Sequence, residues 1–77
     1  MSRNQLENFE IRAYTKKELS LLYFPDSTPH SAVNRLMSWI KNANDIHEEL
    51  AETGYKKTSK WLSPRQVQLL VDAFGEP

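Results

Sequence analysis

Across residues 28–42, TPHSAVNRLMSWIKN, apolar side chains recur at the helical interval. Ala32, Val33, Leu36, Met37, Ile40 and Ala43 form one stripe suited to a core, which predicts a long amphipathic helix. Ser31, Asn34, Arg35, Ser38 and Asn42 turn away from it, with Lys41 beside them. Thr28 is the natural N-cap, and Pro29 fits the first helical position, where its missing amide costs nothing. Upstream, Phe9, Ile11 and Ala13 alternate with Glu10, Arg12 and Tyr14, the period of a short half-buried strand. Thr15-Lys16-Lys17-Glu18 then makes a capping box, with Tyr14 and Leu19 as its hydrophobic staple. Leu19, Leu22 and Tyr23 are expected on the buried side of that helix. It ends near Phe24, because Pro25 disfavours helical geometry in the residue before it.

Downstream of the long helix, Asn44 is expected to cap a third segment. Ile46, Leu50 and Ala51 would be its apolar contacts and Gly54 its terminator. A second capping box, Ser63-Pro64-Arg65-Gln66, opens the last helix with a Leu62–Val67 staple. Val67, Leu70, Val71 and Phe74 give its stripe, and Gly75 followed by Pro77 stops it. Ala13-Tyr14-Thr15 and Trp61-Leu62-Ser63 echo each other, each an extended piece feeding a capped helix, so the two can pair as a minimal sheet. Residues 55–60 would then be a small wing carrying lysines. Residues 1–8 are polar and expected to fray, leaving 9–77 as a single domain.

Composition narrows the functional classes. A chain of 77 residues builds one small core and no deep enclosed active site. It has no cysteine, which removes disulfides and thiolate metal sites. No apolar run follows Arg3 as in a secretory signal, and no stretch approaches the length of a membrane span, so a soluble cytoplasmic protein is expected. His30 and His47 are too isolated for a metal site. No nucleophile elbow, paired carboxylates or glycine-rich phosphate cradle is present, so neither an enzyme nor a cofactor is expected. Trp39 and Trp61 read as core and boundary aromatics.

Charge changes the picture by its distribution. Ten acids balance ten bases, which argues against a strongly basic nucleic-acid binder. Yet the acids concentrate in residues 45–52, and no Asp or Glu lies between Asp26 and Asp45. Bases gather at Lys16 and Lys17, at Arg35 and Lys41, and at Lys56, Lys57 and Lys60. A helix face with only short polar groups and cations can lie against a polyanion without repulsion.

The order strand, capped helix, tight turn, second helix, basic loop, strand and capped helix resembles a MerR-type winged helix-turn-helix, a plan shared by phage excisionases. AYTKKELSLLY resembles the first helix of such domains, and KWLSPRQVQLLVDAFG their post-wing helix. More closely, YTKKELSLLYFPDSTPHSAVNRLMSWI, ETGY and LSPRQVQLLVDAFGEP resemble a family of short bacterial domains of unknown function from gut anaerobes. The implied fold is mainly α, a small winged helix-turn-helix-like domain with about four helices and a minimal two-stranded β element. By that resemblance the second helix enters the major groove of double-stranded DNA. Thr28, His30, Ser31, Asn34 and Arg35 would face base edges, Lys41 a phosphate, and Lys56, Lys57 and Lys60 the flanking backbone. Arg35 suits a guanine edge and Asn34 an adenine edge. The acids of the third segment must face away from the DNA. The long dimerisation helix of MerR regulators has no counterpart here, and so few cations imply a homodimer, cooperative neighbours or a larger complex.

A solvated helix face and solubilising loop lysines are the plainer readings of the same residues. The rival function is a protein-interaction module whose acidic third segment docks a basic partner.

Overall fold

The computed structural model describes residues 9–56 and 58–77. The frayed segment expected over 1–8 lies outside the described residues, as does Lys57. Among those described, four helices and one two-stranded antiparallel sheet make a mainly α domain: β1 (Tyr14–Thr15), α1 (Lys16–Tyr23), α2 (Pro29–Asn42), α3 (Asn44–Glu52), β2 (Trp61–Leu62) and α4 (Pro64–Phe74).

Side chains placed three residues apart set the helix starts. Thr15 Oγ1 accepts from the Glu18 amide at 3.0 Å, and Glu18 Oε1 accepts from the Thr15 amide at 3.0 Å. Ser63 and Gln66 repeat the exchange at 3.2 and 2.9 Å, and Thr28 Oγ1 accepts from the Ser31 amide at 3.3 Å. These bonds satisfy amides that no helical carbonyl can reach. At the far end of α3, Gly54 takes φ +89°. The Gly54 amide then donates to Ala51 and the Tyr55 amide to Leu50, which closes the helix with a left-handed cap.

The two echoing segments do pair. Tyr14 faces Leu62 and Thr15 faces Trp61. Of the strand expected from the alternation over 9–14 only Tyr14 is in β1, residues 9–13 form none, and Ile11 is exposed. In this register residue 13 would run past Ser63, already the N-cap of α4, so β2 offers no further backbone partner. Phe9 instead stacks on Tyr14, with centroids 5.5 Å apart, while Trp61 is turned outward rather than into a core or boundary position.

Tyr14, Leu19, Leu36, Ile40, Leu50, Leu62, Val67 and Leu70 form the core, so every element contributes to it. On α1 the buried face differs from the expected one. Lys16, Leu19 and Ser20 are buried, whereas Leu22 is exposed. Positions 16, 19, 20 and 23 share one helical face, and Leu22 stands about 110° from its centre. Ser20 faces inward there, and its hydroxyl has no hydrogen-bond partner among the described residues. An unpaired buried hydroxyl costs about 1–3 kcal/mol, and Ala is the better helix former. Ser20→Ala is therefore expected to raise stability by about 1 kcal/mol, read as a higher urea midpoint at constant m.

The third segment is a separate helix. Its corner is Ala43, at φ −106° and ψ 84°, and Asn44 is its first helical residue rather than its cap. No side chain caps α3, since the residue at the corner is an alanine, and Asp45 supplies the favourable negative charge in the first turn. Ala51 is exposed, leaving Leu50 as the buried anchor of α3 with Ile46 packed beside it.

Trp39 joins three helix ends at the surface. Phe24, Phe74 and Tyr23 lie around its ring at centroid distances of 4.8, 5.2 and 5.9 Å. The Tyr23 hydroxyl donates to the Gly75 carbonyl, which ties the end of α1 to the end of α4. Burial, and then the charge of Glu76, push the Tyr23 phenol from its ordinary value near 10 up to about 12. A group whose pKa is raised on folding contributes stability that is complete below its unfolded pKa. That contribution is lost as pH rises from about 10 through about 12. Alkaline unfolding followed by circular dichroism is expected to show this loss in the wild type, and the Tyr23→Phe variant to lack that component.

Candidate functional site

Helix α2 holds most of the candidate residues because its inner stripe is fixed by packing. Ala32, Leu36 and Ile40 are buried, and α1 lies closely against the helix. This orientation exposes His30, Ser31, Asn34, Arg35, Ser38, Lys41 and Asn42 as one continuous face of about 140°. With 14 residues, α2 is about 21 Å long.

Four of the five expected base-facing residues already have local partners. Thr28 uses its hydroxyl to cap the helix. His30 and Asn34, one turn apart, place Nε2 and Nδ2 3.2 Å from each other. Ser31 is exposed at the first turn. Arg35 stands on the opposite flank of this face, its guanidinium 5.3 Å from the centre of the Phe24 ring and Nη1 3.5 Å from Ser27 Oγ. Both contacts come from the turn between α1 and α2. They leave the guanidinium exposed, and no carboxylate pairs with it among the described residues.

Lys41 lies near the C-terminal end of α2, across a small hollow from His47 and Tyr55. It shares the exposed face with the other candidates but sits about three turns from the helix start. Lys56 and Lys60 lie in the loop before β2, both exposed. This loop is closed on itself: the Ser59 amide donates to the Lys56 carbonyl at 2.9 Å, and the Lys56 amide lies 3.3 Å from Ser59 Oγ.

One residue that sequence reasoning counted only as a surface base pins the loop at both ends. The Lys16 amide donates to the Lys60 carbonyl at 2.9 Å, while Lys16 Nζ lies 3.5 Å from the Lys56 carbonyl and 4.8 Å from the centre of the Tyr55 ring. Burial lowers the Lys16 pKa and raises that of Tyr55. The Tyr55 hydroxyl in turn sits 3.2 Å from Met37 Sδ, so the loop is held against α2. Contacts across forty positions of sequence carry no local signal, which is why Lys16 could not be told from Lys17.

The acids lie elsewhere. Asp45, Glu48, Glu49 and Glu52 are exposed on α3, and Glu49 and Glu52 line a hollow shared with Arg65 and Leu69 of α4. No group of His, Cys, Asp or Glu among the described residues is arranged to hold a metal ion, and no described helix is long and apolar enough to cross a membrane.

A family model described as a domain of unknown function, DUF4248, matches residues 10–77. The chain belongs to the DUF4248 family. The match takes in every element from β1 to α4. Comparison with curated proteins and with solved structures finds no match to the chain.

Proposed function

We propose that this DUF4248 domain binds double-stranded DNA in the manner of a winged helix-turn-helix, as an excisionase-like or transcriptional accessory factor. The observation that carries the reading is the outer face of α2, which is exposed, acid-free and armed with Arg35. In this arrangement α1 and the turn at 24–28 brace α2, whose N-terminal half enters the major groove. A helix of this length fits a groove about 12 Å wide with both ends clear. Asn34 and Arg35 read base edges, Lys41 meets a phosphate, and Lys56 and Lys60 lie along the backbone together with Lys57. The acids of α3 stay outside the contact, and their repulsion from phosphate orients the domain.

Selection from a pool of random duplexes tests the base-reading role. Enrichment of a short common site supports it. Retention without enrichment removes Asn34 and Arg35 from base recognition and leaves backbone contacts alone, and no retention at low salt discards the reading.

A further inference from the structure

Between the start of α1, the flank of α2 and the pinned loop runs a groove of about 680 Å³. Lys17 and Lys60 stand on its walls with the hydroxyl residues Thr58 and Ser59, and Val33 and Met37 form part of its lining. Lys17 and Lys60 are both exposed, so their ammonium groups reach solvent. The single acid on the groove is Glu18, whose Oε1 is committed to the Thr15 amide. Lys16 and Thr15 also line it, with Lys16 Nζ turned to the Lys56 carbonyl and the Tyr55 ring and the Thr15 hydroxyl to the Glu18 amide. The groove therefore combines the exposed cations Lys17 and Lys60, the hydroxyls of Thr58 and Ser59 and a strip of apolar side chain. A phosphodiester offers the complement, with anionic oxygens for the lysines and hydroxyls and sugar carbons for Val33 and Met37.

The groove also lies next to the proposed reading face. Val33 and Met37 neighbour His30, Asn34 and Lys41 around the circumference of α2. A strand whose phosphate sits between Lys17 and Lys60 passes directly beside that face. Because Lys16 bonds the backbone carbonyls at both ends of the loop, the backbone that carries Lys60 is held in place before any ligand arrives, and less backbone ordering falls on binding.

We infer that this groove is a phosphate-binding channel for the nucleic-acid backbone, with Lys17 and Lys60 as its paired cationic contacts. The inference rests on the DNA-binding reading and adds Lys17, a residue that reading does not use. Replacing a lysine that contacts phosphate weakens binding across all sequences and flattens the salt dependence by about one unit of log–log slope. Lys17→Ala is expected to do this and to lower affinity several-fold at moderate salt. Arg65→Ala, on the separate hollow lined by Glu49 and Glu52, which shares no residue with the groove, is expected to leave slope and affinity unchanged.

Two titrations of the isotopically labelled full chain, followed by backbone amide shifts, separate the possible failures. One uses a short random-sequence duplex and the other inorganic tripolyphosphate. Shifts at Lys17, Thr58, Ser59 and Lys60 with both probes, together with the flattened slope of Lys17→Ala, support the channel. Duplex shifts confined to α2, with Lys17→Ala keeping the wild-type slope, overturn the channel and leave the DNA-binding reading standing. If tripolyphosphate shifts the groove while the duplex binds nowhere, the groove serves a free phosphate compound and the nucleic-acid assignment is overturned. Silence with both probes overturns the channel and the DNA reading together.

Discussion

Arg35→Glu is expected to lower duplex affinity by about 30- to 100-fold while thermal unfolding stays unchanged. Loss of a bidentate base contact costs about 1–3 kcal/mol, and the new carboxylate adds repulsion from the phosphates, which places the total near 2–3 kcal/mol. Stability is spared because Arg35 is exposed and its contacts to Phe24 and Ser27 are long, at 5.3 and 3.5 Å. Exposed substitutions of this kind shift stability by no more than about 0.5 kcal/mol. Anisotropy of a labelled duplex and a melting curve on the same sample check both halves. The reversed experiment sharpens the result: Glu48→Lys combined with Glu52→Lys should keep or strengthen duplex binding. Were the domain instead an interaction module that docks a basic partner through α3, that double variant would lose the partner and Arg35→Glu would be silent.

The largest stability effect is expected at Leu36. This side chain is fully buried in the central cluster, on the helix that presents the candidate face. Leu36→Ala removes buried methyl groups and leaves a cavity, at a cost of about 3 kcal/mol. A domain of this size has a total stability of roughly 4–12 kcal/mol, so the change consumes a large share of it. The melting temperature should fall by more than about 10 °C. Leu22→Ala is the matched control. Leu22 is 38% exposed, and its truncation should cost less than about 1 kcal/mol. Urea denaturation of the two variants at equal m-values makes the comparison, and similar midpoints for both would mean that α1 and α2 pack through other faces.

Signals in the sequence were strong where the chemistry is local. Thr15 with Glu18 and Ser63 with Gln66 specify their helix starts because both partners lie within one turn. The stripe from Ala32 to Ile40 specifies which side of α2 is buried, and with it the whole exposed candidate face. The pairing of Tyr14 with Leu62 was legible from the echo between two extended segments that each feed a capped helix.

Misplaced residues depended on contacts far apart in sequence or on short geometry. Alternation at Phe9, Ile11 and Ala13 implied a strand, but β2 is only two residues long and gives it nothing to pair with. Leu22 carried more apolar surface than Ser20, yet the closeness of α1 to α2 selected the smaller side chain for the interior. Asn44 has the better capping side chain, but the chain turns at Ala43, one residue earlier. The loop's posture was invisible for a similar reason, since Lys16 reaches Lys56 only after three helices have folded between them.

The most direct test of the central claim is the anisotropy of a labelled random-sequence duplex titrated with the purified domain at several salt concentrations. Lys41, Lys56, Lys57 and Lys60 neutralise phosphates in this account, joined by Lys17 in the channel, which gives a log–log slope of about −4. Affinity should then fall roughly 10²- to 10³-fold between low and moderate salt. A folded sample that shows no binding at low salt, or binding that salt does not weaken, would contradict the account.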